Sequence, residues 1–253
     1  MAPHTTASSP TLIPRVLSFL VHRIARGLPE GVKHRLWQWM LLLSPPAIVI
    51  PKLRLRRFLP ANPVVVDAGA HIGVDTVEMS WLWRKGRMFA FEPVPDLFAQ
   101  LQANTRNRPN VQCIPLALGE SAGESTMFVS TGASDASSSL LRPTGHLADL
   151  PEVRFDQQIT VRTITLDAWA QEQGIASVDL LWLDMQGYEL AVMRASQRIL
   201  KTVRAIHMEV SEHEQYAGAP LYDEVRQWLG EQGFQVQYEA LHQGGGNVLF
   251  VRG

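Results

Sequence analysis

The stretch Val64-Val65-Val66-Asp67-Ala68-Gly69-Ala70-His71-Ile72-Gly73 decides the fold of this 253-residue chain. Its three β-branched residues predict a short strand buried on both faces, because no polar residue alternates with them. The strand leads directly into a glycine-rich turn, and the residues from Val74 to Trp83 then take up a helical pattern. A strand, a glycine turn and a helix in this order are typical of the first unit of a parallel α/β sheet.

Further apolar runs along the chain repeat this strand pattern, and helical segments separate them. The predicted strands of this kind are Val64–Val66, Met88–Phe91, Val111–Pro115, Val178–Leu183 and Ala205–Val210. Helices are predicted at Val74–Trp83, Asp96–Asn107, Leu166–Gln173, Tyr188–Leu200 and Leu221–Gln232. Other extended segments are predicted at Ser125–Val129, Ile159–Thr163, Phe234–Tyr238 and Asn247–Val251. The alternation predicts an α/β fold: a mostly parallel sheet with helices on both faces.

The composition is that of an ordinary globular protein. Apolar residues make up 46% of the chain and charged residues 19%, which excludes a disordered or fibrous chain. The single cysteine, Cys113, cannot form an internal disulfide, and no zinc site can be built from thiolates. We therefore expect a reducing, cytoplasmic setting, with peripheral membrane contact as the second choice.

Residues 1–60 differ in charge from the rest of the chain. They carry nine Lys and Arg residues and one acid, Glu30, whereas the whole chain has a net charge of −1. No run reaches the roughly 18 apolar residues of a membrane span. Helical spacing of apolar residues predicts two amphipathic helices, Leu12–Ile24 and about Glu30–Leu43. We therefore divide the chain into a basic helical arm, 1–60, and a sheet domain, 61–253.

The arm has three candidate roles. It is expected to act as a lid, as a dimerisation arm or as a surface that docks on an anionic membrane, and we favour packing on the same or a sister chain. Packing on a sister chain would give a homodimer through the arm, packing on the same chain would not, and no nucleic-acid partner is expected.

Four carboxylates stand where predicted strands end: Asp67, Glu92, Asp184 and Glu209. Because ligands of open α/β sheets bind at the carboxyl ends of the strands, we expect these four residues to converge on one rim. Like charges repel each other there, so the rim should face cations, hydroxyl donors or a positively charged ligand.

The turn from Gly69 to Gly73 indicates what binds at this rim. Its G-x-x-x-G spacing is not the G-x-G-x-x-G of dinucleotide-binding folds, but its glycines let a ligand approach the backbone closely. The next helix offers free N–H groups to a carboxylate, and Asp67 can take an ammonium group. Glu92 lies 19 residues after Gly73, close to the spacing at which an acid meets a ribose diol. An amino acid joined to adenosine carries all three groups, so we predict S-adenosylmethionine as the cofactor.

A resemblance to a known family supports this interpretation. The chain resembles the FkbM-like family of class I methyltransferases over about residues 62–253. The segments that carry the resemblance are Val65–Gly73, Phe89–Pro93, Leu166-Asp167, Val178–Leu190, Gly233-Phe234 and Asn247–Phe250. The resemblance implies the Rossmann-like class I methyltransferase fold, whose mostly parallel sheet has an antiparallel C-terminal strand. It also implies an S-adenosylmethionine-dependent O-methyltransferase. Its acceptor would be a hydroxyl of a sugar, a glycolipid or a natural-product scaffold, that is, a small molecule or a glycan.

The strand ends and the resemblance together define the expected site. Cofactor-binding residues are expected at Asp67, Gly69, Ala70, His71, Gly73, Glu92, Pro93, Ala117 and Leu118. The candidate catalytic bases are Asp184, Glu209 and His213, since acids and a partly neutral histidine can take a hydroxyl proton. Asp184 fits equally well as the N-cap of the helix that begins near Tyr188. The segment 134–141 is expected to be a loop whose hydroxyls close over the site.

Two positions depart from the family pattern. His71 stands where the family commonly has Asn, and Gln186 stands where it commonly has an acid. Gln186 removes a negative charge beside Asp184, which weakens the case for a magnesium ion held by Asp184 and Glu209. The alternative functions are N-methylation of a small molecule, nicotinamide-dependent oxidoreduction, and a non-catalytic binding module that uses the basic arm.

Overall fold

The computed structural model describes residues 50–242 and 244–253. Its strands are β1 (Val64–Ala68), β2 (Arg87–Phe91), β3 (Val111–Ile114), β4 (Ala117–Leu118), β5 (Gly123–Gly132), β6 (Val153–Ile164), β7 (Leu180–Leu183), β8 (Ala205–Ser211), β9 (Phe234–His242) and β10 (Gly245–Arg252). Its α-helices are α1 (Val74–Leu82), α2 (Pro95–Thr105), α3 (Gly145–Asp149), α4 (Leu166–Glu172), α5 (Glu189–Arg194), α6 (Gln197–Leu200) and α7 (Tyr222–Glu231). A short 3₁₀ helix, Lys52–Arg57, precedes β1.

The main sheet has the strand order β3-β2-β1-β7-β8-β10-β9 within the described residues. Strands β3, β2, β1, β7 and β8 are parallel, and β10 is antiparallel to both of its neighbours, β8 and β9. The predicted Rossmann-like sheet with an antiparallel C-terminal strand is therefore confirmed. The order reverses between β1 and β7, so the carboxyl ends of these two strands form the topological switch point where ligands of such sheets bind.

Strand β1 is buried on both faces, as its run of valines predicts. Val66 packs with Phe91 and Leu181 in one hydrophobic cluster, whereas Val65 packs with Met88 in a second cluster. Since side chains alternate along a strand, the two clusters are the two faces of the sheet. Helices on both faces exclude water from the strands, which leaves only the strand ends open to a ligand.

A second sheet of three strands, in the order β4-β6-β5, lies beside the first. Strands β5 and β6 pair antiparallel from Gly123 opposite Thr163 to Gly132 opposite Val153. The extended segments at 125–129 and 159–163 were predicted, but their pairing into a separate sheet was not. Periodicity reports that a segment is extended and does not report which distant segment it pairs with.

The helix predicted over Tyr188–Leu200 is wrong as one element, because it is divided into α5 and α6. The carboxylate of Asp167 accepts hydrogen bonds from the backbone N–H groups of Arg198 and Ile199, both at 2.8 Å. These N–H groups belong to the first turn of α6, so Asp167 caps a new helix start where the sequence suggested continuity.

The sheet domain begins earlier than the predicted boundary at residue 61. Ile50, Leu55 and Leu59 are buried in the same cluster as Val65. Lys52 is also buried, and its ammonium group pairs with Asp75 and Glu78 of α1. The part of the predicted arm that the structure describes is thus packed on the sheet domain, whereas the two predicted amphipathic helices lie outside the described residues. Within the described part of the chain, no helix has the length and apolarity that crossing a bilayer requires.

Candidate active site

The turn after β1 is held by backbone hydrogen bonds to β2. The N–H groups of Gly69 and Ala70 both donate to the carbonyl oxygen of Phe91, at 3.1 and 2.9 Å. Gly69 has a φ of 79°, and a Cβ atom there would lie 1.8 Å from the carbonyl oxygen of Asp184. Only glycine permits this approach, so Gly69 sets the distance between the ends of β1 and β7.

Glu92 fixes the second half of the turn. Its Oε2 accepts from the backbone N–H of His71 at 2.9 Å, and its Oε1 accepts from that of Val94 at 2.8 Å. Burial raises the pKa of this carboxyl, and the two backbone hydrogen bonds oppose that rise. Glu92 therefore has a structural task in addition to any contact with a ligand, because it joins the turn to the end of β2.

A cavity opens beside this turn, and we call it the turn cavity. Its lining includes the carboxylates of Asp67, Asp75, Glu92, Asp135 and Asp184. It also includes apolar side chains, those of Phe91, Leu97, Leu116, Leu118 and Met127. Among the expected cofactor residues, Gly69, Ala70, His71, Pro93 and Ala117 also line it. An apolar wall suits a flat heterocycle, and carboxylates suit an ammonium, a sulfonium and a diol, so these residues fit S-adenosylmethionine.

Gly73 is not among the residues that line the turn cavity. Its φ is 85°, and a Cβ atom there would lie 2.5 Å from Cδ1 of Leu101 in α2. Gly73 thus allows the start of α1 to pack closely against α2, and its role in this structure is packing.

Asp67 lies deeper than a rim residue would. It is only 1% exposed, and it accepts a hydrogen bond from the hydroxyl of Thr76 in α1. Burial, reinforced by the charge of Asp75, raises its pKa to about 8. The sequence places Asp67 on the rim with the other strand-end carboxylates, but its side chain is buried between β1 and α1.

A second cavity, which we call the polar cavity, lies on the β8 side of Asp184. Asp184, Gln186, Glu209, His213 and Tyr216 line it, and Asp184 lines the turn cavity as well. Asp184 is exposed to solvent within these cavities, although protein atoms of both linings surround it. Loss of hydration, and next the charge of Glu209, raise the pKa of Asp184 to about 7.

Asp184 and Glu209 are joined by Gln186, a residue that sequence reasoning treated only as a missing charge. The Gln186 Nε2 lies 2.7 Å from Asp184 Oδ1 and 2.7 Å from Glu209 Oε2. Its Oε1 accepts from the hydroxyl of Tyr216 at 2.9 Å. Desolvation raises the pKa of Glu209, and the hydrogen bond from Gln186 opposes that rise. The departure of residue 186 from the family pattern was the only signal of this contact in the sequence.

His213 lies on the loop after β8 and is exposed. Its backbone N–H donates to the hydroxyl of Ser211 at 3.2 Å. The structure thus brings all three candidate bases into the polar cavity, but only Asp184 also lines the turn cavity.

The loop 134–141 contributes lining residues to both cavities. Asp135, Ser138 and Leu140 line the turn cavity, whereas Ser137 lines the polar cavity. His71 Nε2 lies 2.9 Å from Asp135 Oδ1, and the carbonyl oxygen of Ser137 lies 2.9 Å from the Tyr216 hydroxyl. Within residues 50–242 and 244–253, no group of three His, Cys, Asp or Glu side chains is placed to hold a metal ion.

The fold and the cavity at its switch point define a methyltransferase of the Rossmann-like α/β class. The methyltransferase FkbM domain matches residues 67–236, so the chain belongs to the FkbM methyltransferase family. Membership of this family confirms the prediction of S-adenosylmethionine as the cofactor.

Two similar proteins have named activities. The chain is 34% identical over 162 residues to the 2-O-methyltransferase NoeI of Sinorhizobium fredii, covering 62% of this chain and 67% of NoeI. It is 27% identical over 151 residues to the hexuronic acid methyltransferase AglP of Haloferax volcanii, covering 59% of this chain and 56% of AglP. The chain thus spans little more than half the length of AglP.

The crystal structure of a methyltransferase FkbM from Methylobacillus flagellatus KT is similar, with a TM-score of 0.52 at 13% identity. The match covers 94% of this chain and 59% of that one, and it shows that the two share a fold.

Proposed function

We propose that this chain transfers a methyl group from S-adenosylmethionine to a hydroxyl oxygen of a sugar or a sugar-bearing molecule. The observation that carries the proposal is the position of Asp184, which lines both the turn cavity and the polar cavity. A methyl donor in one cavity and an acceptor in the other would meet at this carboxylate. The names of NoeI and AglP support a sugar-like acceptor.

The turn cavity would hold the cofactor. Its carboxylates, Asp67 and Glu92 among them, would face the ammonium and ribose groups, and the wall formed by Ala117, Leu118 and Met127 would face the adenine. His71 would contact the cofactor carboxylate from the turn. When bound, S-adenosylmethionine supplies an activated methyl group, so the protein needs mainly to place the acceptor oxygen in line with it.

The polar cavity would hold the acceptor and take its proton. Asp184 has a pKa raised to about 7, so near neutral pH a fraction of it is ionised and able to accept a hydroxyl proton. Glu209 lies on the other side of the Gln186 amide and would orient the hydroxyl. His213 is the third candidate base, at the exposed end of the cavity.

A second candidate function, N-methylation of a small molecule, has one observation in its favour. The described residues that line the polar cavity include Asp149, Asp184, Glu189 and Glu209 but no Lys or Arg. Such a lining attracts an amine as well as a hydroxyl. It also disfavours an acceptor that bears a carboxylate or a phosphate.

Two measurements test these proposals. Isothermal titration with S-adenosylhomocysteine should give saturable binding, and no binding by folded protein would reject a methyltransferase. Methyl transfer from labelled S-adenosylmethionine should then be measured on a panel of matched neutral sugars, amino sugars and uronic acids. NMR of the product identifies whether the methyl group is on oxygen or nitrogen, and methylation on nitrogen alone would replace the first proposal by the second.

The setting of the enzyme is part of the proposal. The single cysteine supports a reducing, cytoplasmic location. A homodimer and a membrane contact through residues 1–60 stay predictions. They are tested by the oligomeric state of the full chain and by its co-sedimentation with anionic vesicles.

A further inference from the structure

The side-chain amide of Gln186 directs both of its N–H donors to carboxylates. An amide nitrogen carries two hydrogens, and Nε2 lies 2.7 Å from an oxygen of Asp184 and 2.7 Å from an oxygen of Glu209. Ionised carboxylates only accept, so these contacts fix which end of the amide faces them. Oε1 consequently faces the other way, toward the Tyr216 hydroxyl at 2.9 Å.

The backbone of Gln186 is held as firmly as its side chain. Its φ is 54°, in the left-handed region that residues other than glycine seldom adopt. Its carbonyl oxygen accepts from the hydroxyl of Ser139 at 2.9 Å, and Ser139 is fully buried. An unfavourable conformation held by surrounding contacts is typical of a functional position.

Asp184 and Glu209 place two carboxyl groups next to Gln186. Two neighbouring carboxylates repel each other, and the repulsion is relieved by a cation, by hydrogen-bond donors or by protonation of one of them, which the raised pKa of Asp184 reflects. Oxygen ligands of this type are what magnesium binds in proteins. The amide supplies a donor to each carboxylate, adds no charge, and fills the space between them.

We propose that Gln186 is a positioning residue that takes the place of a divalent cation between Asp184 and Glu209. It holds the two carboxylates at the distance that the acceptor hydroxyl requires, so methyl transfer by this chain needs no added metal. The inference rests on the proposed function for what the two carboxylates do, but the geometry of the three side chains stands without it.

The substitution Gln186→Glu tests whether the amide takes the place of a cation. The variant places a third carboxylate between two others, so its melting temperature in a chelator should fall by about 3–6 °C relative to the wild type. Three carboxylates around one point can bind a hard cation, so millimolar magnesium or manganese should restore most of that loss. The melting temperature of the wild type should be the same with chelator and with either metal.

Two control variants separate the loss of the amide at residue 186 from the addition of a negative charge. Gln186→Met removes the amide without adding charge, so its melting temperature should fall, and no metal should raise it again. Gln227→Glu adds the same charge on α7, where Gln227 is exposed and donates to Glu231, and it should show no metal response. Turnover should follow stability: Gln186→Glu should lose turnover number in chelator and regain part of it with magnesium, whereas Gln186→Met should regain none.

Each result supports or overturns the proposal. A wild type that is stabilised by magnesium, or that loses turnover in chelator, would mean that a metal and not the amide joins the carboxylates. A Gln186→Glu protein that behaves identically with and without metal, or that fails to fold in both, would also overturn it. These melting measurements use no cofactor, so absence of S-adenosylhomocysteine binding by the wild type would reject the proposed function separately.

Discussion

The turn cavity and the polar cavity meet at Asp184, but they are held together in different ways. Backbone N–H groups hold the turn cavity: those of the turn donate to the carbonyl oxygen of Phe91 and the carboxylate of Glu92, at the end of the neighbouring strand β2. Side chains hold the polar cavity: Gln186 bonds to Glu209, 23 residues away, and Tyr216 bonds to Ser137, 79 residues away. The cofactor half of the site thus relies on backbone groups of adjacent elements, whereas the acceptor half depends on side chains, some of them remote in the sequence.

The largest effect is expected from a substitution in the turn that lines the turn cavity. Gly69→Ala would place a methyl group 1.8 Å from the carbonyl oxygen of Asp184, on a residue whose φ is 79°. The strand ends must then separate, so we expect loss of S-adenosylhomocysteine binding and a large drop in melting temperature. Gly174→Ala is the matched control, because Gly174 has a φ of 64° but nothing within 4 Å of an added Cβ. The free energy of unfolding of the control should fall by about 1–2 kcal/mol from backbone strain alone. Equal falls in the two variants would show that the close approach of Gly69 to Asp184 is unimportant.

The next largest effect is expected from a substitution of Asp184, in the acceptor half of the site. Asp184→Asn should lower the turnover number by about 10²–10⁴-fold, the usual contribution of a general base. S-adenosylhomocysteine affinity should change far less. Asp156→Asn is the control, since Asp156 is an exposed carboxylate that lines neither cavity. Turnover within tenfold of the wild type would remove Asp184 as the base and leave Glu209 and His213.

The pH dependence of turnover tests the same assignment. An Asp184 that must be ionised, with a pKa raised to about 7, predicts turnover that rises through pH 7 and levels off above it. The charge of Glu209 contributes to that rise in pKa, so Glu209→Gln should move the midpoint to lower pH. A midpoint that does not move would mean that the two carboxylates are not electrostatically linked.

The sequence predicted the two halves with unequal success, for the reason that the comparison gives. The run Val64–Gly73 contains the strand, the turn and the helix start of the turn cavity, and its hydrogen bonds go to the neighbouring strand. The left-handed backbone of Gln186 and its contact with Glu209 depend on how β7 and β8 lie side by side, which no periodicity reports. The burial of Asp67 was also missed, since a strand end looks the same in sequence whether or not α1 covers it.

A smaller effect sharpens the comparison at Glu92. Glu92→Ala should weaken S-adenosylhomocysteine binding by about 1.5–3 kcal/mol, the scale of a hydrogen bond to a charged group, because the N–H of His71 loses its partner. Glu92→Gln should also weaken it, since an amide offers one acceptor oxygen to two N–H donors. The exposed Glu124 supplies the control, Glu124→Ala. Unchanged affinity in both Glu92 variants would contradict the view that hydrogen bonds from backbone N–H groups to Glu92 hold the cofactor half of the site.

The smallest effect concerns stability against pH. Burial raises the pKa of Asp67 to about 8, so between its ordinary value and pH 8 the folded protein keeps a proton that the unfolded chain has released. The free energy of unfolding therefore falls as the pH rises through that range. Asp184 and Glu189, whose pKa values are each raised to about 7, act in the same direction, but most of their effect falls below pH 7.

Between pH 7 and pH 8 the proton of Asp67 thus makes the largest single contribution. Over this interval Asp67 should lower the free energy of unfolding of the wild type without cofactor by up to about 1 kcal/mol, which corresponds to about 2–4 °C in melting temperature. Asp67→Asn cannot release a proton and still accepts from Thr76, so its melting temperature should be flatter over the same interval and higher than that of the wild type at pH 8. Asp96→Asn, at an exposed position of α2, should follow the wild type. Parallel curves for Asp67→Asn and the wild type from pH 7 to pH 8 would show that Asp67 stays ionised in the fold. In that case a charge, and not a proton, lies beneath the cofactor half of the site.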